Sequence, residues 1–334
     1  MFGSFNSLKN AWAQVFPQAP DFTESSIPDL LGKVYIVTGA NSGLGKELSG
    51  ILYSKNAKVY VAARSEAKAQ AAIEFIKAAH PHSKGDLVYL QIDLADLSAI
   101  KSSVNAFLSQ EARLDVLFNN AGVLAPHDAP KTAQGYELNL GTNTIGTFLL
   151  TKLLLPTLLN TAKSSPKDSV RVIWVSSIAV NFSEQGGLDM ENLDYHEDKS
   201  AVTKYAVSKV GNFLHSVELA RRHGANADGV VSVALNPGNL DTELGRDRSW
   251  LETKILRTFV LYPPVFGAYT ELFAGLSDQI TAEMVRDNNW IGPWGRFCRI
   301  REDIDQAARP RSEGGHGLAE RFWRWTEEQV KPYV

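Results

Sequence analysis

The sequence from residue 33 to residue 45 reads KVYIVTGANSGLG, an apolar run that leads directly into a glycine-rich turn. The run Lys33–Thr38 has the length and composition of a buried strand, and Leu44–Lys55 has the spacing of an amphipathic helix. A glycine-rich turn between a first strand and a first helix lets the backbone approach a pyrophosphate at the helix N-terminus. Gly39, Gly43 and Gly45 depart from the spacing of the common dinucleotide fingerprint. The turn indicates a nucleotide site mainly because it lies at the first junction between a strand and a helix.

Short Val/Ile-rich runs and longer amphipathic stretches alternate along the chain, which is typical of stacked βαβ units. The predicted strands are Lys33–Thr38, Lys58–Ala62, Leu87–Ile92, Asp115–Phe118, Val170–Val175, Val230–Leu235 and Asn289–Ile291. The predicted helices include Leu44–Lys55, Ser65–Ala79, Leu97–Gln110 and Thr203–Arg222. Because the strand runs are almost wholly apolar, helices should cover both sheet faces. The sequence therefore predicts an α/β fold, a Rossmann-type doubly wound parallel sheet of about seven strands.

No internal repeat or low-complexity linker divides the 334 residues. We predict an N-terminal extension over residues 1–30 and a single domain over residues 31–334 that includes C-terminal lid segments. Ile178–Ser200 and Asp241–Pro264 interrupt the alternation, as lids or substrate walls or as variable surface loops. The tail should end in a helix packed on the sheet layer, carrying Leu318, Phe322, Trp325 and Val330.

The composition of the chain indicates which binding partners and which cellular compartment to expect. The net charge is -3 and no basic stripe is present, which argues against nucleic acid. The one cysteine, Cys298, excludes an intramolecular disulfide framework and favours a reducing compartment, so a cytoplasmic location is expected. The seven histidines show no metal-ligand spacing, and no metal site is predicted.

The N-terminal extension carries apolar residues at helical spacing, namely Phe5, Leu8, Trp12, Val15 and Phe16. This stripe would either touch a membrane surface or a partner, or pack on its own domain. No signal peptide is predicted, because a basic start and a continuous apolar run are both missing. Leu138–Pro156 is apolar but interrupted by polar residues, which suits a buried helix better than a transmembrane span.

Tyr205 and Lys209 lie four residues apart in a predicted helix, so their side chains share one face. An ammonium beside a phenol favours the phenolate, which would let the tyrosine exchange a proton near neutral pH. Such a pair also occurs on solvated helix faces. The glycine-rich turn upstream makes the chemical interpretation the stronger one.

The end of the second predicted strand indicates which nicotinamide cofactor fits. Ala63 stands where an acidic side chain would hold the ribose 2'-hydroxyl of NAD, and Arg64 follows it. A guanidinium can form charge-assisted bonds to a 2'-phosphate, so NADP(H) is the predicted cofactor. The alternative is that Arg64 is a surface residue at a helix start.

From about Lys33 to Pro237, and more loosely beyond, the chain resembles the short-chain dehydrogenase/reductase family. Thr38–Gly45 is similar to the family's Thr-Gly-x-x-x-Gly-x-Gly motif, and Asn119–Gly122 to its structural Asn-Asn-Ala-Gly motif. Asp93 resembles the aspartate that contacts the adenine ring, although it could instead cap a helix starting at Ala95. Features such as the Ala-Arg-Ser ending of the second strand are most similar to the retinol-dehydrogenase-like and WW-domain-oxidoreductase-like branch, fungal members included.

The resemblance also implies the catalytic residues, which are Asn143, Ser177, Tyr205 and Lys209. Asn236-Pro237-Gly238 followed by Thr242 resembles the segment that holds the nicotinamide carboxamide. The predicted cofactor site comprises Thr38, Gly39, Asn41, Ser42, Gly43, Leu44, Gly45, Arg64, Asp93, Asn120, Ala121, Gly122, Tyr205, Lys209, Pro237, Gly238, Leu240 and Thr242. Thr38 and Asn41 should brace the glycine turn, and Asn119 and Asn120 are expected to act as structural braces.

These residues predict an oxidoreductase that moves a hydride between NADP(H) and a carbonyl or alcohol group of a hydrophobic small molecule. Tyr205 would exchange the proton, Lys209 would lower its pKa and hold the ribose, and Ser177 would stabilise the oxyanion. Asn143 would hold a water, as the resemblance implies. Pocket walls are expected near Trp250, Leu251, Tyr262 and Phe266. The alternatives are a catalytically silent NADP-binding scaffold and an NADPH-dependent double-bond reductase, and a homodimer or higher oligomer stays open.

Overall fold

The structure is a computed structural model, and it describes residues 12–224, 229–241, 261–287 and 290–334. Some of the residues singled out in the sequence lie outside these ranges. They are Phe5, Leu8, Thr242, Trp250, Leu251 and Asn289.

Eight strands form one sheet in the order β3-β2-β1-β4-β5-β6-β7-β8. Their bounds are β1 Val34–Thr38, β2 Lys58–Ala63, β3 Asp86–Gln91, β4 Val116–Asn119, β5 Val170–Val175, β6 Val230–Leu235, β7 Trp290–Gly292 and β8 Arg296–Cys298. All neighbouring pairs are parallel except β7 and β8. The order reverses between β1 and β4, so their carboxyl ends flank the crevice where this fold class binds nucleotides. The predicted Rossmann-type fold is confirmed.

Helices cover both faces of the sheet. Their bounds are α1 Gly43–Ser54, α2 Glu66–Ala79, α3 Leu97–Leu108, α4 Leu138–Lys163, α5 Ala201–His223, α6 Pro264–Leu276, α7 Ala282–Asp287, α8 Glu302–Ala308 and α9 Leu318–Val330. Apolar side chains of α3, α4 and α5 form one core with Val34 and Ile36 of β1. Those of α1, α2 and α6 form a second core with Tyr35 and Val37. Successive side chains of β1 thus point alternately into the two cores. Because both faces of the strand are buried, its sequence has to be apolar throughout.

The eighth strand was not predicted. β8 has only three residues and pairs antiparallel with β7 through a tight turn in which Trp294 and Gly295 both have positive φ. Arg296 is half-buried and Phe297 is exposed, so β8 lacks the apolar run that identifies the other strands.

Helix α4 is the buried helix expected around Leu138–Pro156. Among the described residues it is the one helix long and apolar enough to cross a membrane, yet more than half of its apolar window is buried. Its Phe148, Leu150 and Leu154 pack in the core shared with α3 and α5. A π-helical turn, Gly141–Gly146, interrupts its first part. Such turns are rare and often found at functional sites.

The last helix, α9, packs chiefly on α5, and its Phe322 and Val330 belong to the core that also contains residues of β1. Phe322 stacks on the His215 ring of α5, with ring centroids 4.9 Å apart. Trp323, which the sequence reading omitted, is buried, whereas Trp325 is only partly buried. The helix that carries Tyr205 and Lys209 is therefore packed on both sides.

Buried charges hold the amino ends of the strands together. The Asp115 carboxylate, just before β4, accepts hydrogen bonds from the Val34 N–H at 3.0 Å and from Lys33 Nζ at 3.1 Å. It also accepts two bonds from the Arg113 guanidinium, at 2.6 and 2.7 Å. Arg171, near the start of β5, donates to two backbone carbonyls at the end of α6. These groups lie at the sheet edge opposite the carboxyl ends of the strands.

Candidate active site

The glycine-rich turn has the geometry that a phosphate-binding turn needs. Gly39 and Gly43 adopt positive φ angles of 68° and 50°, which favour glycine. The Gly39 N–H donates to the Ala62 carbonyl at 2.8 Å, which ties the turn to β2. The first turn of α1 has no side-chain cap, since Ser42 makes no capping bond. The backbone N–H groups at this helix start can therefore bind an anion.

Thr38 and Asn120 join the turn to the loop after β4. Thr38 Oγ1 donates to the Phe118 carbonyl at 3.1 Å and accepts from the Ala121 N–H at 2.9 Å. Asn120 Nδ2 donates to the Thr38 carbonyl at 2.6 Å, so the expected bracing by Thr38 and Asn120 is confirmed. A Cβ on Gly45 would lie 2.6 Å from Asn120 Nδ2, which explains why a glycine is needed there.

Asn41 does not act as the expected brace, because its side chain makes no hydrogen bond with the described residues. Asn119, the other asparagine expected as a brace, donates to Thr151 Oγ1 of α4 at 2.9 Å. That bond fixes the end of β4 to the neighbouring helix.

Arg64 and Asp93 follow the ends of β2 and β3. Arg64 is exposed and forms no ion pair within the described part of the chain, so its guanidinium can reach a phosphate. Asp93 Oδ1 accepts from the Ala95 N–H at 2.9 Å, a local turn. It does not cap a helix at Ala95, because α3 begins at Leu97 and Asp96 is its N-cap. The uncapped helix start and the Arg64 guanidinium are thus two groups at this edge of the sheet that can bind phosphate.

The structure brings the predicted catalytic residues together at the carboxyl ends of β4 and β5. Ser177 is the second residue after β5, and its hydrogen bond with Tyr205 is one of the influences on the tyrosine pKa. Lys209 Nζ lies 5.7 Å from the centre of the Tyr205 ring and donates to the Val175 carbonyl at 2.9 Å. Ser176 Oγ donates to the Lys209 carbonyl at 2.7 Å, which fixes this turn of α5 to β5.

Gly122 provides the space in which Lys209 and Asn143 meet. A Cβ at Gly122 would lie 3.1 Å from Lys209 Nζ and 3.5 Å from Asn143 Oδ1. A Cβ contact of 3.1 Å is tighter than nine in ten real Cβ contacts, so a side chain at Gly122 would push the Lys209 ammonium by a few tenths of an ångström. Glycine at this position therefore lets Lys209 Nζ lie where it does.

Asn143 lies in the π-helical turn of α4 and is fully buried. Its Oδ1 accepts from the Val123 N–H at 2.7 Å, and its Nδ2 donates to the Val123 carbonyl at 2.9 Å. Nδ2 also donates to Ser208 Oγ at 3.0 Å. Both polar atoms of the side-chain amide thus form hydrogen bonds within the protein, and these bonds hold the loop that contains Gly122.

The pKa values differ from the expectation for the Tyr–Lys pair. Burial raises the pKa of Tyr205 to about 12, while the hydrogen bond with Ser177 lowers it. Burial also lowers the pKa of Lys209 to about 8, and the charge of Glu271 opposes that shift. The expected lowering of the phenol pKa by Lys209 is not seen in this structure, where burial is the larger influence and Ser177 is the group that opposes it. Tyr205 is consequently protonated at neutral pH and able to donate.

Glu271 of α6 is a buried acid that the sequence reading missed. Both of its side-chain oxygens are buried without a hydrogen-bond partner in the described part of the chain. Burial raises the pKa of its carboxyl well above the usual range, although Lys209 acts in the opposite direction. Burial therefore favours the neutral form of this carboxyl, which lies close enough to Lys209 for the two groups to interact.

Pro237, Gly238 and Leu240 follow β6, on the same sheet edge. Gly238 has a φ of 94°, and a Cβ there would lie 2.5 Å from the Trp294 ring. Gly267 of α6 leaves room for Leu44, Leu240 and the Pro237 carbonyl, which all lie against it. Neither Gly267 nor Trp294 was predicted, because each matters through contacts that a single sequence does not reveal.

Tyr262 and Phe266, two of the expected pocket-wall residues, form an aromatic cluster with Trp294. The ring centroids of Tyr262 and Phe266 lie 5.0 and 5.3 Å from that of Trp294. Because Trp294 also contacts Gly238, the cluster stands beside the turn after β6.

Arg301 fixes the segment that follows Ser177. Its guanidinium donates to the carbonyls of four loop residues, Val180, Asn181, Ser183 and Glu184. Asp303 pairs with Arg301 at 2.6 Å and accepts from the Gly186 N–H at 2.7 Å. The segment is therefore ordered by the C-terminal part of the chain and includes the short 3-10 turns Ile178–Phe182 and Met190–Asn192.

No cluster of three or more His, Cys, Asp or Glu residues that could hold a metal ion occurs among the described residues. The side chains of Ser177, Tyr205, Lys209 and Asn143 bring hydroxyl, ammonium and amide groups to the site.

Comparison with known proteins gives matches over nearly the whole chain. A family model described as short chain dehydrogenase matches residues 33–188. The short-chain dehydrogenase/reductase bet4 of Neocamarosporium betae is 47% identical over 332 residues, which covers 98% of this chain and 94% of that protein. The short-chain dehydrogenase/reductase pkfC of Emericella nidulans is 45% identical over 315 residues, covering 94% of this chain and 98% of that protein.

Solved structures show the same architecture. An uncharacterized protein from Mycobacterium Paratuberculosis is similar with a TM-score of 0.66 and 29% identity, covering 93% of this chain and 97% of that chain. A 3-ketoacyl-(acyl-carrier-protein) reductase from Brucella melitensis, crystallised with NADH, has a TM-score of 0.55 at 24% identity. It covers 75% of this chain and 95% of that chain, and the likeness is one of fold.

Proposed function

The chain belongs to the short-chain dehydrogenase/reductase family, and on that premise we propose that it is an NADP(H)-dependent carbonyl reductase or alcohol dehydrogenase. Membership makes it an oxidoreductase with a Rossmann-type fold for a nicotinamide dinucleotide. The observation that carries the finer proposal is the cluster of Ser177, Tyr205 and Lys209 beside the glycine-rich turn. A binding scaffold would not need these three groups close together.

The residues that would hold the cofactor are distributed along the carboxyl edge of the sheet. The N–H groups at the start of α1 would bind the pyrophosphate, and Arg64 the 2'-phosphate. The turn at Pro237 and Gly238 would meet the nicotinamide, and Lys209 the adjoining ribose hydroxyls. When bound, NADPH supplies the hydride that reduces the carbonyl carbon.

Tyr205 performs the proton transfer in this proposal. Its phenol, protonated at neutral pH, donates to the carbonyl oxygen as negative charge develops there. Ser177 donates a hydrogen bond to the same oxygen and orients the substrate. Lys209, held by the Val175 carbonyl, places a positive charge near the phenolate that forms.

The substrate we propose is an apolar ketone, aldehyde or secondary alcohol. Tyr262, Phe266 and Trp294 form their aromatic cluster against Gly238, next to the proposed nicotinamide position. Aromatic surfaces of this kind bind apolar ligands. The single cysteine supports a reducing compartment, and the cytoplasm is the proposed location.

The proposal is tested by following NADPH oxidation with the purified protein against a panel of apolar and polar carbonyl compounds. Turnover of apolar carbonyls is expected, and its absence from the whole panel would refute the substrate class. Tyr205→Phe should lower kcat by about 100-fold or more, because the proton donor is lost. Tyr89→Phe is the matched control, since that buried hydroxyl has no partner in the described structure and lies on β3.

Arg64→Ala tests the cofactor preference. The KM for NADPH should rise far more than the KM for NADH, because only NADPH carries the 2'-phosphate. Lys68→Ala, an exposed cation on α2, should change neither value. An equal rise for both cofactors in Arg64→Ala would contradict the phosphate assignment.

A further inference from the structure

Among residues 12–16 of the N-terminal segment, the side chain that is buried against the rest of the protein is polar. Gln14 is 5% exposed, whereas Trp12 and Phe16 on either side are 67% and 40% exposed. Gln14 Oε1 accepts hydrogen bonds from Asn236 Nδ2 at 3.0 Å and from Trp290 Nε1 at 3.3 Å. Both partners lie at the carboxyl edge of the sheet, after β6 and in β7.

Asn236 links three parts of the protein. Its backbone N–H donates to the Ile291 carbonyl at 2.8 Å, which ties it to β7. Its Oδ1 accepts from the Gly238 N–H at 3.2 Å, which sets the turn after β6. Its Nδ2 donates to Gln14, as above. The conformation of the Pro237–Gly238 turn therefore depends on how the Asn236 amide is oriented.

Trp290 determines that orientation. An indole N–H can only donate, so the Gln14 atom facing it must be the oxygen. This oxygen in turn requires a donor from Asn236, which directs Nδ2 toward Gln14 and leaves Oδ1 for the Gly238 N–H. Trp290 and Asn236 are each 1% exposed, so no water competes for these groups.

Other contacts hold the segment in place around Gln14. Arg296 of β8 donates to Gln18 Oε1 at 3.3 Å and to the Ala19 carbonyl at 3.1 Å. Further along, Ile27 and Leu30 are buried in the core that α1 and α6 share. Residues 12–30 are thus attached at several points, and Gln14 is the point nearest the proposed nicotinamide position.

We propose that Gln14 is a positioning residue of the cofactor site, holding Asn236 so that the Pro237–Gly238 turn meets the nicotinamide end of NADP(H). The inference rests on the proposed function, because it assigns that turn to the nicotinamide. Without the Gln14 oxygen, the Asn236 amide loses the partner that orients it, and the Gly238 N–H is no longer held. The N-terminal segment is then a structural part of the site.

The test compares two ligands that differ only at the nicotinamide end. Isothermal titration calorimetry with NADP+ and with 2'-phospho-ADP-ribose, which lacks the nicotinamide, is carried out on wild type and on Gln14→Met. Gln14→Met keeps the side-chain length but removes the acceptor. NADP+ should bind about tenfold more weakly, the change that one hydrogen bond gives, while 2'-phospho-ADP-ribose should bind as before. Gln18→Met, the same change in the same segment, should affect neither ligand.

Gln14→Asn provides a milder variant if Gln14→Met lowers the melting temperature too far for calorimetry. Its acceptor is one methylene further from Asn236. It should weaken NADP+ binding less than Gln14→Met does and leave 2'-phospho-ADP-ribose binding unchanged. Unchanged NADP+ binding in a folded Gln14 variant would overturn the inference alone. An equal loss for both ligands would overturn it too, because it would mean a purely structural role. Wild-type protein that binds neither ligand would instead refute the proposed function and this inference with it.

Discussion

Asn143 holds Val123 by both of its backbone polar atoms, accepting from the N–H at 2.7 Å and donating to the carbonyl at 2.9 Å. The next residue toward the N-terminus is Gly122, against which Lys209 Nζ lies. One buried amide therefore fixes the loop that lies against the Lys209 ammonium. We expect Asn143 to influence the reaction through this loop.

Asn143→Ala should lower the free energy of unfolding by about 2 kcal/mol, since it leaves the partly buried N–H and carbonyl of Val123 without their hydrogen-bond partner. It should also lower kcat, because the loop beside Lys209 is released. Asn139→Ala is the control, as Asn139 holds the same loop at the Ala125 N–H, further from Gly122. Chemical denaturation and steady-state kinetics would measure both effects. Equal kcat losses in the two variants would contradict a role specific to Asn143.

The reaction should slow above about pH 8. Burial lowers the pKa of Lys209 to about 8, so above that pH the ammonium loses its proton and the charge near Tyr205 disappears. The kcat/KM for NADPH is expected to fall tenfold per pH unit on the alkaline side, since free-enzyme ionisation governs that ratio. Lys209→Arg, which stays charged, should be slower but lack this fall. An unchanged alkaline limb in Lys209→Arg would assign the ionisation to another group.

Arg301→Lys should loosen the segment after Ser177. A lysine ammonium cannot donate at once to the four carbonyls that the guanidinium contacts. The KM for the carbonyl substrate should rise about tenfold, whereas the affinity for NADP+ should stay the same. Hydrogen exchange should become faster in residues 178–187. Arg309→Lys serves as the control, because Arg309 forms an exposed pair with Asp305. If residues 178–187 of Arg301→Lys exchanged as slowly as in the wild type, Arg301 would not be what holds this segment.

His215 should make the fold sensitive to mild acid. Burial among aromatic rings lowers the pKa of His215 to about 3, while an unfolded histidine takes up a proton near pH 6.5. Below pH 6.5 the unfolded chain binds the extra proton, so stability falls as pH falls, by about 1.4 kcal/mol per unit from this residue. Urea unfolding between pH 7 and pH 5 should show this slope reduced in His215→Leu. The same slope in both proteins would argue against a neutral His215.

The strands β1 to β6 could be predicted because each has a mainly apolar run, buried throughout in β1, β4, β5 and β6, and their ends differ from the prediction by at most one residue. That Ser177, Tyr205 and Lys209 lie near one another could be predicted because they belong to local motifs of fixed spacing. The contact of Gln14 with Asn236 could not be predicted, since the two residues are 222 positions apart and no local motif indicates that they meet. Arg301 and Trp294 were missed for the same reason. The pKa of Tyr205 was misjudged because burial depends on the surrounding fold and not on the nearest charge.

The charged groups around Asp115 lie where the strands begin, whereas Tyr205 and Ser177 lie where they finish. The length of the sheet separates the two sets, and they share no hydrogen-bond partner among the described residues. Redesign of the charged groups around Asp115 could therefore raise the melting temperature without altering turnover, which depends on Tyr205 and Ser177. Directed evolution of this enzyme for new substrates could likewise begin from a scaffold strengthened at its opposite end.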